Sequence, residues 1–261
     1  MFGLTRRRRE KLRRQPFPDT WRQYLKRRVP LYVRLPGEDR RELEGHIHVF
    51  LDEKRFEGCG GFVLSDEIRV VIAAQACLLL LHRETGYFPG LSSVVVYPTA
   101  FIVDRRDYDE AGVVTEETGP LVGESWDTGC VILAWDEVLE SCASDDDGYN
   151  VVIHEFAHQL DAEDGITDGA PALPTRAHQR TWARVLGGEY RRLREMLEAG
   201  GETVLDEYGA SDPAEFFAVV TESFFEMPGH LRQEHPELYA ELKRYYRQDP
   251  AEWGEMATGE R

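Results

Sequence analysis

The chain has 261 residues, of which 42% are hydrophobic and 30% charged, enough apolar material for a packed core and too much for a wholly disordered chain. The longest apolar run, Val70–Leu81, is interrupted by Gln75 and is too short to cross a bilayer, so no integral membrane association is expected. The formal net charge is −17, split into +9 over residues 1–40 and −26 over the rest; so acidic a body repels nucleic acid, and no nucleic-acid partner is expected.

Residues 1–17, with Arg6, Arg7, Arg8 and Arg9, read as a flexible basic arm without aromatic interleaving. No apolar stretch follows the arginines as a signal peptide requires, so the expected location is cytoplasmic. Residues 18–261 read as one domain, because no linker divides them. Residues 18–57 are expected to be helical with a break near Pro30–Gly37. Within Asp39–Lys54, Leu43, Ile47, Phe50 and Leu51 recur at helical spacing. A glycine loop (Gly58, Gly60, Gly61) follows. Ser65-Asp66-Glu67 starts a helix expected over Asp66–Thr85 and stopped by Gly86.

The middle of the chain is rich in β-branched and aromatic residues. Ser93–Tyr97, Phe101–Val103, Gly112–Thr115 and Cys130–Trp135 read as short strands of a small mixed or antiparallel sheet. Beyond residue 148, helices are expected at Tyr149–Glu163, Pro174–Ala199, Pro213–Met227 and Pro236–Gln248. Strands bracketed by helices without regular alternation give an α+β class. Cys59, Cys77, Cys130 and Cys142 form no CxxC pair and read as reduced thiols.

One segment carries chemistry. His154-Glu155-Phe156-Ala157-His158 is an HExxH motif. On a helix, a spacing of four puts both imidazoles on one face, a turn apart, where they reach one metal ion. Glu155 beside them can touch water at the metal without being a ligand, as metal-assisted hydrolysis needs. Val152, Phe156 and Leu160 form the opposite, apolar stripe. No Cys lies near in sequence, so a site of two His plus one carboxylate is expected. Asp161, His178, Glu215, Glu222, His230 and His235 lie downstream. Asp161, one turn on, suits an acceptor for a ligand imidazole N–H. His178 reads as a surface residue. Glu215 sits three residues after the cap Asp212, where a capping-box glutamate would sit. Glu222 is two turns further on nearly the same face. From spacing alone, either Glu215 or Glu222 could be the third ligand.

Gly123-Glu124-Ser125-Trp126, Val131–Trp135, His154–Asp161 and Pro213–Phe225 resemble the Mlc titration factor A family of glucose-regulated metallopeptidases, which have a zincin-like fold. The catalytic part is similar to that of anthrax lethal factor, where HExxH is followed by a Tyr and, seven residues later, a ligand Glu before Phe-Phe. Tyr208 and Glu215-Phe216-Phe217 reproduce that spacing. The resemblance implies one zinc ion per chain held by His154, His158 and Glu215, with Glu155 as general base and Tyr208 as donor to the developing oxyanion. Glu222, about 10 Å further along its helix at 1.5 Å per residue, keeps a supporting role. The implied activity is zinc-dependent, aminopeptidase-like hydrolysis of a peptide or protein substrate, linked to regulation of sugar uptake through a transcriptional repressor such as Mlc. The rival reading is a regulatory protein that binds and sequesters a transcription factor, with a zinc site of minor catalytic importance.

Overall fold

The computed structural model describes residues 2–100, 102–108, 114–120, 129–143 and 147–254, with the backbone alone at 2–3, 102–108 and 114–120. Eleven helices and five strands are present among them, in the order α1 (Phe2–Arg13), α2 (Asp19–Arg28), α3 (Pro30–Arg34), α4 (Gly37–Glu53), β1 (Arg55–Gly58), α5 (Asp66–Leu78), β2 (Ser93–Tyr97), β3 (Ile102–Tyr108), β4 (Val114–Pro120), β5 (Cys130–Ala134), α6 (Trp135–Ser141), α7 (Val151–Asp161), α8 (Arg176–Glu198), α9 (Pro213–Glu226), α10 (Pro228–Glu234) and α11 (Pro236–Tyr246). The α+β class holds.

The apolar sequence of α5 has a simple outcome. Its residues from Val70 to Leu78 are buried on every face, against α2, α4 and α7, as expected of a helix without a polar side. The Ser65 hydroxyl caps it by accepting the Ile68 N–H. The helix ends at Leu78, seven residues before the expected Thr85. Two contacts explain the early stop. Gln248 donates to the Leu78 carbonyl at 2.8 Å, and His82 takes a left-handed φ of 59° that no helix continues through. Leu79, Leu80 and Leu81 are nevertheless buried, so the apolar run marks burial rather than helix.

The sheet departs from expectation in direction. The order is β1-β2-β5 and both pairings are parallel, with Arg55 opposite Ser93 and Ser93 opposite Cys130. Helix α5 is the crossover between β1 and β2 that parallel neighbours require. Antiparallel pairing occurs in the separate β3–β4 hairpin, from Ile102 opposite Pro120 to Tyr108 opposite Val114. Phe101 and residues 112–113 of the expected strands lie outside the described residues. Strand β1 was not expected, because Arg-Phe-Glu-Gly lacks β-branched residues; backbone pairing to β2 makes it a strand. Trp135, expected at a strand end, opens α6. Helix α10 was also not expected.

Residues 1–17 are not the expected free arm. Phe2–Arg13 is helical and packs on α4. Arg9 forms a two-pronged pair with Glu53 at 2.7 and 2.8 Å, Arg8 meets Asp52, and Phe17 is buried. Charge patterning in sequence predicted solvation; the acidic end of α4 supplies partners that only folding brings near. The four cysteines are all thiols, with Cys77 fully buried. No helix among the described residues is long and apolar enough to cross a membrane.

Lys54, at the end of α4, is buried and donates to the carbonyls of Phe88 at 2.7 Å and Leu91 at 2.6 Å. Burial lowers its pKa to about 8. A neutral amine can still donate both bonds, so the fold favours the uncharged form. Between pH 8 and 10.5 the unfolded chain keeps a proton that the folded chain has released, and stability rises with pH. Urea melts at pH 7.5 and pH 10 should show the parent gaining about 2 kcal/mol relative to Lys54→Met; an unchanged difference would mean that the buried amine stays charged. Arg9→Met should lower stability by about 1–3 kcal/mol, read from the same melts, because it leaves Glu53 without its half-buried partner.

Candidate metal centre

Asn150 starts α7. Its side-chain oxygen accepts the Ile153 N–H at 3.0 Å, capping the helix, and Val152, Phe156 and Leu160 bury the apolar stripe. Phe156 packs against Phe50 and Phe88 with centroids 5.6 and 4.8 Å away. That packing fixes the rotation of α7, so His154 and His158 face α9 and not the core behind.

On α9, Asp212 is the cap, accepting the N–H groups of Ala214 and Glu215 at 2.8 and 3.0 Å, with Pro213 at the first helical position. Glu215 does not fold back as a capping-box residue. Its Oε2 lies 3.1 Å from His154 Nε2 and 3.5 Å from His158 Nε2, and the two Nε2 atoms are 3.1 Å apart. A tetrahedral zinc with bonds of about 2.0–2.1 Å holds its donors about 3.3 Å apart, so the triangle has the size of one face of such a site. Among the described residues, His154, His158 and Glu215 form the group able to share one metal ion. Glu222, two turns on, does not enter this triangle. Its Oε1 accepts from His154 Nδ1 at 2.7 Å and its Oε2 from the Asn150 N–H at 2.6 Å. A proton held on Nδ1 leaves the lone pair of Nε2 directed at the other donors.

The electrostatics follow from burial and close carboxylates. Burial acts against a charged His154, yet Glu222 and Glu215 raise its pKa well above the ordinary value. For His158, burial dominates and lowers the pKa to about 4. Burial also opposes the Glu215 carboxylate, but its bonds to both imidazoles hold the pKa at about 2. Glu155 is 3% exposed, and burial pushes its carboxyl up to about 7. Tyr208 sits on a short 3-10 turn, Glu207–Ala210, with its N–H donating to Asp206 at 2.8 Å. Its ring centroid is 6.1 Å from that of His154, and half the residue is exposed.

Several expected residues lie elsewhere. Asp161 is buried, but its Oδ2 accepts the Gly169 N–H at 2.7 Å rather than the N–H of a ligand imidazole. The loop after α7 folds back over it, which the helical spacing did not foretell. Gly169, at φ 77°, lets that loop touch α9: a Cβ there would sit 2.2 Å from the Pro213 carbonyl. His178 is buried beside Glu241 at 2.8 Å, not on the surface, because α11 covers it. His235 pairs with Glu189 at 2.7 Å and His230 is exposed on α10, so neither joins the site. Gly123–Trp126, part of the motif set in sequence, lies outside the described residues.

The sequence reading missed the support behind the site. Asn150 Nδ2 donates to Gln75 at 2.8 Å and to Glu226 at 2.7 Å. The signal was present: Gln75 is the one polar residue inside the apolar run of α5. Tyr149, before the cap, is half-exposed, and burial together with Glu137, Glu222, Glu140 and Glu155 raises its pKa.

The model of the family glucose-regulated metallo-peptidase M90 matches residues 4–247. An uncharacterised protein of Synechocystis sp. is 44% identical over 244 residues, covering 93% of this chain and 89% of its own length. Mlc titration factor A of Pectobacterium atrosepticum is 37% identical over 227 residues, covering 85% of this chain and 84% of its own. The protein of the same name from Salmonella agona is 34% identical over 227 residues, covering 86% and 84%. The matched span contains both histidines of the motif helix and the glutamate of α9 that meets them, and the chain belongs to the glucose-regulated metallo-peptidase M90 family.

Proposed function

We propose that the chain is a zinc-dependent peptidase of aminopeptidase-like action. The observation that carries this reading is the triangle of His154, His158 and Glu215 donor atoms, with Glu155 buried beside it on the same helix. Two imidazole lone pairs and a carboxylate oxygen suit a borderline-soft divalent ion. Zinc held by such a set lowers the pKa of water to about 7 and polarises a carbonyl. Glu155 accepts the proton of the attacking water and returns it to the leaving amine. The Tyr208 hydroxyl donates to the oxyanion that develops on the substrate carbonyl. Glu222 keeps His154 oriented by holding its Nδ1 proton. Strand β5, an outer strand of the sheet, offers backbone groups to an extended peptide. Asp161 acts one step further out, tying down the loop that abuts α9.

A second reading rests on the name of the relatives, Mlc titration factor A. That name supports a transcriptional repressor such as Mlc as a partner that this chain binds and sequesters. The two readings part at Glu155, which a pure binding protein has no use for.

Elemental analysis should find about one zinc per chain in the parent. His154→Ala, His158→Ala and Glu215→Ala should each lose it, since too few donors remain, while Glu222→Ala should lose less. Greater zinc loss in the Glu222 variant than in the Glu215 variant would reverse the ligand assignment.

Kinetics on aminoacyl and internally quenched peptides should show Glu155→Gln retaining zinc and fold but losing turnover. Tyr208→Phe should keep zinc and slow turnover by about 10²–10³. Parental rates in either variant would remove that residue from the mechanism. If parent and Glu155→Gln are equally inactive on every peptide and both bind the repressor, the sequestration reading stands instead.

A further inference from the structure

Helix α1 presents an unusual face. Arg6, Arg9 and Arg13 are spaced i, i+3 and i+7, so they share one side. That side of a surface helix is normally apolar and docked. Here it borders a cavity of about 610 Å³ closed on the other side by Arg83, Glu84 and Tyr87. The volume lies in the range of small-molecule sites.

The arginines are not all committed within the protein. Arg9 is neutralised by Glu53. Arg13 donates from Nε to the Tyr87 hydroxyl at 2.8 Å, and Arg83 donates to the Tyr245 hydroxyl at 3.0 Å. The Arg83 guanidinium also stacks on the Tyr245 ring at 4.2 Å and lies in the field of the Glu163 carboxylate, so it is held on the α11 side. The acceptor of Arg13 is neutral, and the Arg6 side chain has no ion pair or hydrogen bond among the described residues. On the acidic side of the wall, Glu10 is held by Arg14 at 2.8 Å, which leaves Glu84. Two arginines of α1, Arg6 and Arg13, therefore face one uncommitted carboxylate, in a chain whose net charge is −17.

The cavity floor is built. Tyr87 is buried, and the guanidinium carbons of Arg9 and Arg13 stand 4.7 and 5.7 Å from its ring centroid. Its hydroxyl is fixed by Arg13 on one side and by buried His46, through Nδ1 at 2.8 Å, on the other. Tyr87 and the next residue, Phe88, both take left-handed φ angles, 57° and 53°. Such strain persists only where the surroundings over-determine it. Like charges converging on one space repel unless an anion joins them. Guanidinium forks match phosphate and carboxylate oxygens in geometry as well as charge.

We propose that the cavity between α1 and the 83–87 turn is a binding site for a small dianion, a phosphate ester or a dicarboxylate, clamped by Arg6 and Arg13 above Tyr87. The site is separate from the metal centre and does not depend on the peptidase reading.

Isothermal titration of the full chain with inorganic phosphate and with succinate, at constant ionic strength in chloride, tests it. Phosphate represents the ester source and succinate the dicarboxylate source. One of them should bind saturably at one site per chain. Arg13→Gln should weaken that binding at least tenfold, and Arg6→Gln should weaken it several-fold. Arg6 makes no contact that the fold needs, so its variant remains informative if Arg13→Gln loses stability. His154→Ala should bind the anion as the parent does, which separates this site from any anion held at the metal centre. Equal affinity in the parent and the Arg6 and Arg13 variants, or no saturation by either anion, would overturn the proposal. Loss of binding in His154→Ala alone would assign the anion to the metal centre. Binding of an acidic peptide with no response to either dianion would make the arginine face a protein-docking surface instead.

Discussion

The contact of Glu222 with α7 organises the centre. One carboxylate, 3% exposed, accepts from the imidazole of His154 and from the backbone N–H of Asn150. A buried carboxylate is costly unless each lone pair finds a donor, so this pair of bonds demands that α7 and α9 meet in one register. The same Asn150 caps α7 and ties it to Gln75 on α5 and Glu226 on α9. Three helices are thereby fixed relative to one another by one polar network inside an apolar core. The donor triangle is a consequence of that register.

Behind the network, aromatic packing sets the depth of α7. Phe50, Phe88 and Phe156 form a contiguous cluster. Phe88 belongs to the strained segment whose carbonyl is held by Lys54. Helix α1 rests on the same segment, through Arg9 on the Gly86 carbonyl and Arg13 on the Tyr87 hydroxyl. The basic start of the chain and the HExxH helix thus both touch one turn, through Tyr87 and Phe88. The opposite charges of residues 1–40 and the rest of the chain have a structural use, since arginines of α1 meet acidic residues at the end of α4 that are more than forty positions away.

Local signals were reliable where one element decides the outcome. The serine before α5, the asparagine before α7 and the aspartate before α9 all cap as their side chains allow. The i, i+4 histidines fall on one face because helix geometry leaves no alternative. Signals failed where a partner distant in sequence decides. Arg55–Gly58 is a strand because β2 lies alongside, His178 is buried because α11 covers it, and the apolar run past Leu78 turns because Gln248 takes the last carbonyl.

By itself the sequence determined that the chain folds around a core, that a capped amphipathic helix carries His154, Glu155 and His158, and that an acidic partner on a downstream helix completes the set. Those are properties of composition, periodicity and spacing, and they survive any arrangement of the rest. The family resemblance set Glu215 before Glu222; the tertiary structure brings Glu215 to both imidazoles while Glu222 holds one from behind, and it alone decided that Asp161 serves a loop and that the arginines of the first helix converge on a cavity. By helical spacing alone, two glutamates seven residues apart on one helix are equivalent. They differ in the structure because α9 crosses α7 at one point along its length, and a carboxylate reaches only about the distance of its own side chain from that crossing.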